Sequence, residues 1–138
     1  MEPIAQADDH PASNMGRAIL IIDDDELLLE LATEFLSDAG YRVFAATTGE
    51  AALEIFSTNS KEIGLVITDM GLPGIGGDEV VMKIRGINPS TKCIAMSGFG
   101  GEDMLRQVRR VDFDTFIPKP FDRELLLRAV GAVVPPPK

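Results

Sequence analysis

Cysteine, histidine and tryptophan are almost absent from this 138-residue chain, which has one cysteine, one histidine and no tryptophan. Cys93 can form no internal disulfide, and His10 lies in a polar segment near the start of the chain. We therefore expect neither a histidine base nor a zinc site built from these residues. Because Cys93 lies in an apolar run, it is predicted to be a buried, reduced thiol in a cytosolic protein.

Long hydrophobic runs and an excess of basic charge are also missing. No apolar stretch approaches the roughly 20 residues that span a membrane, and the first residues lack the pattern of a signal peptide. Acidic residues outnumber basic ones by 22 to 13, which gives a net charge of −9. This excess disfavours non-specific binding to nucleic acid or to an anionic membrane surface. The excess is compatible with a specific site where carboxylates are concentrated. We expect the protein to be cytoplasmic.

Short apolar runs alternate with segments of helical periodicity from Arg17 onward. The predicted strands are Ala18–Ile22, Tyr41–Ala45, Ile63–Thr68, Lys92–Met96 and Thr115–Ile117. Five helices are predicted over about 26–39, 48–56, 78–85, 102–110 and 122–133. This alternation is typical of an α/β fold with a parallel sheet and helices on both faces. Residues 17–134 are predicted to form one domain, with a flexible leader over 1–16 and a proline-rich tail over 135–138.

Polar residues follow the predicted strands at the points where the strands end. These residues are Asp23, Asp24, Asp69, Ser97 and Lys119. With the flavodoxin-like strand order 2-1-3-4-5, they meet at one edge of the sheet, where ligands bind in such folds. Carboxylates held close together repel each other unless a cation intervenes, and oxygen ligands with few protein donors favour Mg²⁺ over Ca²⁺. A metal ion, a lysine and a hydroxyl group around one carboxylate suit phosphoryl transfer, in which that carboxylate can become an aspartyl phosphate.

The segments that carry these residues resemble the receiver domain of bacterial two-component response regulators. The matching segments, in chain order, are Ile-Ile-Asp-Asp-Asp, Ile-Thr-Asp with Leu-Pro-Gly-Ile-Gly-Gly behind it, Ala-Met-Ser, and Pro-Lys-Pro-Phe. The resemblance extends from about residue 17 to residue 134. It implies a phosphoacceptor domain that receives a phosphoryl group from a sensor histidine kinase or a histidine phosphotransfer domain, in a two-component system or a phosphorelay.

The resemblance implies a role for each residue of the acidic group. Asp69 matches the phosphorylated aspartate, which also binds Mg²⁺. Asp24 matches the acidic residue that binds Mg²⁺ directly, and Asp23 matches its neighbour, which acts through water. Gly71 stands where the family supplies a backbone carbonyl to the metal ion. Asp25 is interpreted as a helix cap or a surface residue.

The resemblance also implies a switch that responds to the phosphoryl group. Ser97 and Lys119 match the hydroxyl and the ammonium that stabilise the phosphoryl group. Phe116 matches the aromatic residue that turns inward when Ser97 moves, and the bond between Lys119 and Pro120 is a candidate for a cis peptide. We hypothesise that Phe99 shields the acyl phosphate from water. The switched surface implies a downstream protein partner and a possible homodimer.

Each residue also has a simpler interpretation when it is taken alone. Asp23 and Asp24 could cap the first helix, Asp69 and Ser97 could form turns, Lys119 could be solvated, and Phe116 could be plain core. A different class of protein, a Mg²⁺-dependent phosphatase with an aspartate nucleophile, usually has a second carboxylate two residues after the nucleophile, where this chain has Gly71. A pseudo-receiver that only binds partners is the third possibility. A stand-alone regulator and the receiver module of a hybrid kinase both agree with the sequence.

Overall fold

A computed structural model describes residues 16–98 and 111–136 of the chain. The strands are β1 (Ala18–Ile22), β2 (Val43–Ala46), β3 (Ile63–Asp69), β4 (Lys92–Ser97) and β5 (Thr115–Pro118). The helices in the described ranges are α1 (Glu26–Asp38), α2 (Gly49–Asn59), α3 (Gly77–Ile87) and α4 (Arg123–Val133). The predicted leader over 1–16 lies almost wholly outside the described residues, as do Phe99 and the helix predicted over 102–110. Residues 137 and 138 of the predicted tail also lie outside them.

The five strands form one parallel sheet in the order β2-β1-β3-β4-β5. This order confirms the predicted flavodoxin-like topology. All five residues of β1 are buried, as expected for a central strand that is covered by helices on both faces. The order places β1 between β2 and β3, so the residues that follow β1 and β3 share the carboxyl edge of the sheet.

Alternating side chains of the strands pack into two hydrophobic clusters, one on each face of the sheet. On one face, Ile21 and Ile67 pack with buried residues of α1 and α4, such as Leu36 and Val130. On the other face, residues of the strands pack with α2 and α3 around the fully buried Phe56. Since the side chains of a strand alternate between the two faces, each central strand stabilises both clusters.

The start of the second strand differs from its prediction. Tyr41 lies before β2 rather than in it, and its buried hydroxyl donates a hydrogen bond of 2.6 Å to the carbonyl of Val134. Burial raises the pKa of this hydroxyl above its ordinary value. Gly40 has φ +101°, the left-handed conformation that ends α1 and turns the chain toward β2. Tyr41 therefore joins the end of α4 to the sheet, which a local pattern of apolar residues does not reveal.

Cys93 lies in the interior of the protein, as its apolar surroundings in the sequence predict. Cys93 is fully buried in β4, and burial raises the pKa of its thiol to about 12. The prediction of a buried thiol is therefore confirmed.

Within residues 16–98 and 111–136, no helix has the length and apolar character required to cross a membrane.

Candidate functional site

The carboxyl edge of the sheet brings together side chains that are far apart in the sequence. The Lys119 Nζ lies 2.6 Å from Asp23 Oδ2 and 3.2 Å from Asp69 Oδ1. Asp23 follows β1, Asp69 ends β3, and Lys119 follows β5. The strand order is what makes one ammonium group reach both carboxylates. The interpretation of Lys119 as a solvated side chain is therefore wrong.

The three consecutive aspartates after β1 have three different environments. Asp23 is fully buried, and its Oδ1 accepts a hydrogen bond of 2.9 Å from the Asp25 N–H. Asp24 is exposed. Asp25 is the N-cap of α1 and accepts hydrogen bonds from the N–H groups of Leu27 and Leu28. The interpretation of Asp25 as a cap is therefore confirmed. The carboxylates of Asp23 and Asp24 are not the ones that accept these hydrogen bonds from the first turn of α1.

Burial and charge act in opposite directions on the ion pair. Burial raises the pKa of the Asp23 carboxyl above its ordinary value, although Lys119 and the Asp25 N–H counteract part of this effect. Burial alone would lower the pKa of Lys119, but the carboxylates of Asp23 and Asp69 hold it above its ordinary value. Lys119 is therefore positively charged at neutral pH, and its ammonium group lies beside the carboxylate of Asp69.

The donor set at this edge fits a hard divalent cation. One carboxylate oxygen from each of Asp23, Asp24 and Asp69 lies within 4.8 Å of the others. The buried Oδ2 of Asp23 has no hydrogen-bond partner in the described residues, although Lys119 is close enough to form an ion pair. The group consists of carboxylates alone, two buried and one exposed, without a histidine or cysteine among them. Carboxylate oxygens are the ligands that Mg²⁺ prefers. The residues present are therefore compatible with Mg²⁺ between Asp24, Asp23 and Asp69.

Two glycines that follow β3 differ in how closely an added Cβ would approach Asp69. At Gly71, an added Cβ would lie 4.0 Å from Asp69 Oδ2, so the carboxylate faces a position without a side chain. At Gly77, the first residue of α3, an added Cβ would lie only 2.8 Å from the backbone carbonyl oxygen of Asp69. Gly77 therefore permits α3 to begin directly against the residue that carries the carboxylate. Sequence reasoning missed this contact, for which the only signal was a glycine pair where a capping side chain usually stands.

Backbone hydrogen bonds align the ends of the neighbouring strands. The Met70 N–H donates to the Met96 carbonyl at 3.0 Å, and the Lys119 N–H donates to the Ser97 carbonyl at 2.8 Å. These bonds place Ser97, the last residue of β4, between Asp69 and Lys119 in the order of the sheet. The peptide bond between Lys119 and Pro120 is cis.

Phe116 is exposed, so the interpretation of this residue as plain core is wrong. Its side chain is 44% exposed, and its ring lies 5.8 Å from the ring of Phe113 with an interplanar angle of 53°. Its neighbour in β5, Ile117, is buried in the cluster formed with α1 and α4. Because side chains alternate along a strand, Phe116 points to the opposite face of the edge strand β5.

A five-stranded α/β sheet with a lysine and clustered carboxylates at its carboxyl edge defines a class of phosphoryl-transfer proteins. The family model described as "Response regulator receiver domain" matches residues 19–131 of the chain. The chain therefore belongs to the response regulator receiver domain family. Domains of this family are phosphoacceptor signalling domains rather than classical enzymes, and the chain is a phosphoacceptor domain of two-component or phosphorelay signalling.

Individual relatives agree with this assignment. The chain is 31% identical over 121 residues to the sporulation initiation phosphotransferase F of Bacillus subtilis, covering 88% of this chain and 96% of that protein. It is 32% identical over 108 residues to a cyclic di-GMP phosphodiesterase of Thermotoga maritima. That match covers 78% of this chain but only 28% of the longer protein. A crystal structure of a response regulator receiver domain protein from Clostridium thermocellum has a TM-score of 0.78 at 28% identity, covering 86% of this chain and 94% of the other.

Proposed function

We propose that Asp69 is the phosphoacceptor residue and that residues 17–134 form the receiver unit that serves it. The observation that carries the proposal is the position of Lys119, whose ammonium group lies 3.2 Å from Asp69 Oδ1 and 2.6 Å from Asp23 Oδ2. The ammonium holds one oxygen of Asp69, while the other oxygen, Oδ2, faces Gly71. An incoming phosphoryl group can therefore approach Oδ2 from the side on which Gly71 has no side chain.

The chemistry follows from this arrangement. Asp69 Oδ2 attacks the phosphorus atom of a phosphohistidine, a P–O bond to Asp69 forms, and the P–N bond breaks with the electron pair returning to the imidazole. Lys119 pairs with the negative charge that spreads over the phosphoryl oxygens, and the Ser97 hydroxyl hydrogen-bonds one of them. Asp24 and Asp69, the carbonyl of Gly71 and, through water, Asp23 would hold Mg²⁺. When bound, Mg²⁺ supplies positive charge that offsets the repulsion between the carboxylates and the phosphoryl group.

We propose that the phosphoryl group comes from a sensor histidine kinase or a histidine phosphotransfer domain. The likeness to a Bacillus phosphotransferase over nearly its whole length supports this kind of donor. Phosphorylation then biases a two-state equilibrium in which Ser97 and Phe116 move and change a surface for a downstream protein or a second copy of the chain. A cytoplasmic location is proposed with it, in agreement with a single buried thiol.

The phosphatase alternative receives no support from the loop after Asp69. A general acid two residues beyond the nucleophile would have to be Gly71, which has no side chain to donate a proton. Any loss of the phosphoryl group is therefore expected to depend on water attacking the acyl phosphate. We propose that the chain assists only its own phosphorylation and dephosphorylation.

Incubation with acetyl phosphate and Mg²⁺, followed by intact-mass measurement, tests the proposal. We expect the mass of one phosphoryl group to be added to the parent protein and not to Asp69→Asn. Asp25→Asn is the matched control, because Asn is also an effective N-cap and this variant should be phosphorylated like the parent. An adduct that persists in Asp69→Asn would refute the assignment of Asp69. Rapid turnover of phosphate esters would favour the phosphatase, and no adduct on the parent would favour the pseudo-receiver.

A further inference from the structure

The contact between Phe113 and Phe116 joins a half-buried side chain to an exposed one. The two ring centroids are 5.8 Å apart and the rings are tilted by 53°, which is within the range of favourable aromatic pairs. Phe113 is half-buried and packs against the hydrophobic cluster formed with α2 and α3. Phe116, by contrast, is 44% exposed on the edge strand of the sheet. The pair therefore stabilises Phe116 in its exposed position.

The backbone on both sides of Phe113 is held in place by Arg85 of α3. The Arg85 guanidinium donates hydrogen bonds to the carbonyl oxygen of Asp112 and, at 3.3 Å, to Asp114 Oδ2. It also donates to the carbonyl oxygen of Thr91 at 3.3 Å, just before β4. The segment that carries Phe113 is thus connected to α3 and to the start of β4.

Asp114 completes this attachment from the other side. Its Oδ2 accepts a hydrogen bond of 2.7 Å from the Cys93 N–H, and its own N–H donates to the Cys93 carbonyl at 2.7 Å. Cys93 belongs to β4 and is fully buried. Phe113 therefore lies between two residues that are hydrogen-bonded to α3 and β4, and its ring contacts the ring of Phe116.

The register of the sheet gives Phe116 a short path toward Ser97. Ala95 of β4 is the partner of Phe116 across the strand pair, and Ser97 follows two residues later on the same face of β4. Ala95 has the smallest side chain that a non-glycine residue offers. Phe113 precedes β5, whereas Ser97 pairs with Pro118 at the other end of the strand. Movement of the Phe116 ring along this face toward Ser97 would therefore be movement away from Phe113.

We propose that Phe113 is a positioning residue that holds Phe116 in the exposed position and so opposes the switch to the phosphorylated conformation. The inference rests on the proposed function, because it assumes that Asp69 is phosphorylated and that Phe116 moves with Ser97. An interaction made only in one of two conformations shifts the equilibrium toward that conformation. Aromatic pairs of this geometry correspond to a shift of about two- to tenfold.

Substitution of Phe113 by other large side chains, with and without an aromatic ring, tests the proposal. Phe113→Leu keeps an apolar side chain in the cluster but removes the ring, whereas Phe113→Tyr keeps the ring and is the matched control. For each variant we would measure the acetyl phosphate concentration that phosphorylates half of the protein at fixed Mg²⁺. The backbone amide resonances of Thr115 and Phe116 would also be recorded before and after phosphorylation. The urea midpoint of each variant verifies that it is folded.

We expect Phe113→Leu to need about two- to tenfold less acetyl phosphate than the parent. In its unphosphorylated form, the two resonances should be displaced toward their phosphorylated positions, which loss of stability alone would not cause. Phe113→Tyr should match the parent in both measurements. Parent-like behaviour of Phe113→Leu, a displacement in the opposite direction, or equal effects of both substitutions would overturn the positioning role. If the parent itself gives no adduct, the proposed function fails first, so the two failures are distinguishable.

Discussion

The middle of β3 and its carboxyl end are both buried, yet their side chains are stabilised in different ways. Leu65, Val66 and Ile67 have no exposed surface and pack into the two hydrophobic clusters. Two residues beyond Ile67, the strand ends in Asp69, which is only 8% exposed and is paired with Lys119. The middle of the sheet gains free energy of folding by burying apolar surface. The edge instead buries the Asp23 carboxylate, whose desolvation the ion pair with Lys119 only partly offsets.

The difference shows which part of the fold is optimised for stability and which for chemistry. The pKa of Asp23 is raised by burial, so the ionised carboxylate is held in an environment that disfavours its charge. Such a charge is stabilised further by any cation that binds beside it, including Mg²⁺. A cation bound at this edge would therefore stabilise the folded state.

The largest effect is expected from removing bulk in the apolar region. Phe56 has no exposed surface and lies in the cluster formed with α2 and α3. Phe56→Ala should lower the free energy of unfolding by about 3–5 kcal/mol, because it removes buried apolar surface and leaves a cavity. Urea denaturation measures this change. Leu27→Ala, at a side chain that is 65% exposed, is the control and should change stability by about 0.5 kcal/mol or less. Equal losses in both variants would contradict the comparison.

An intermediate effect is expected where the apolar region and the edge meet. Gly77→Ala should cost about 1–3 kcal/mol, because the new methyl group would press on the Asp69 carbonyl oxygen. It should also displace Asp69 and slow its phosphorylation by acetyl phosphate. Gly71→Ala is the control, since an added Cβ there is at ordinary contact distance from Asp69 Oδ2. Its stability should stay within about 0.5 kcal/mol of the parent. A harmless Gly77→Ala would show that α3 can shift freely against Asp69.

The smallest change in stability is expected from neutralising the buried charge at the edge. Without metal at neutral pH, Asp23→Asn should be within about 1 kcal/mol of the parent or more stable than it. The variant replaces a buried carboxylate with a neutral group, and Lys119 keeps its ion pair with Asp69. The raised pKa implies that the parent loses stability as pH rises from 3.8, the ordinary value, through the folded value. The variant should lack this contribution. Thermal denaturation at several pH values measures it.

Addition of Mg²⁺ should stabilise the parent more than Asp23→Asn. A ligand that binds only the folded state raises stability with its concentration, so the parent should gain thermal stability in Mg²⁺. Asp23→Asn should gain less, and Asp25→Asn, which alters only a helix cap, should gain as much as the parent. An identical Mg²⁺ response in Asp23→Asn and the parent would show that Asp23 does not take part in metal binding.

Much of the fold could be predicted because its signals are local. The apolar runs of β1 and β3 are too short for helices and too continuous for exposed strands, which is the pattern of a central parallel strand. Helix starts were marked by capping residues, and Thr48, Asp25 and Asp122 each accept a hydrogen bond from the first turn of a helix. The periodicity does not fix the strand order, for which the flavodoxin-like order 2-1-3-4-5 was predicted, and the structure confirms it.

The remaining features depend on contacts between residues far apart in the sequence. Nothing near Tyr41 indicates that its hydroxyl reaches Val134, which is 93 residues away. Phe116 is apolar and follows a buried-strand pattern, but it is exposed on the face of the edge strand opposite to the buried Ile117. The link from Arg85 to Asp112 and Asp114 spans 27 and 29 residues and has no local signature.

The sequence by itself determined the alternation of strands and helices and the identity of the polar residues at the strand ends. Those features follow from side-chain periodicity and from the turn and capping preferences of single residues. Only the tertiary structure decided that Asp23 is buried while Asp24 is exposed, and that one ammonium group serves both Asp23 and Asp69. The physical reason is that burial and pairing depend on which strands lie side by side. The sheet assembles β1, β3 and β5 into a common edge that no short segment of the chain contains.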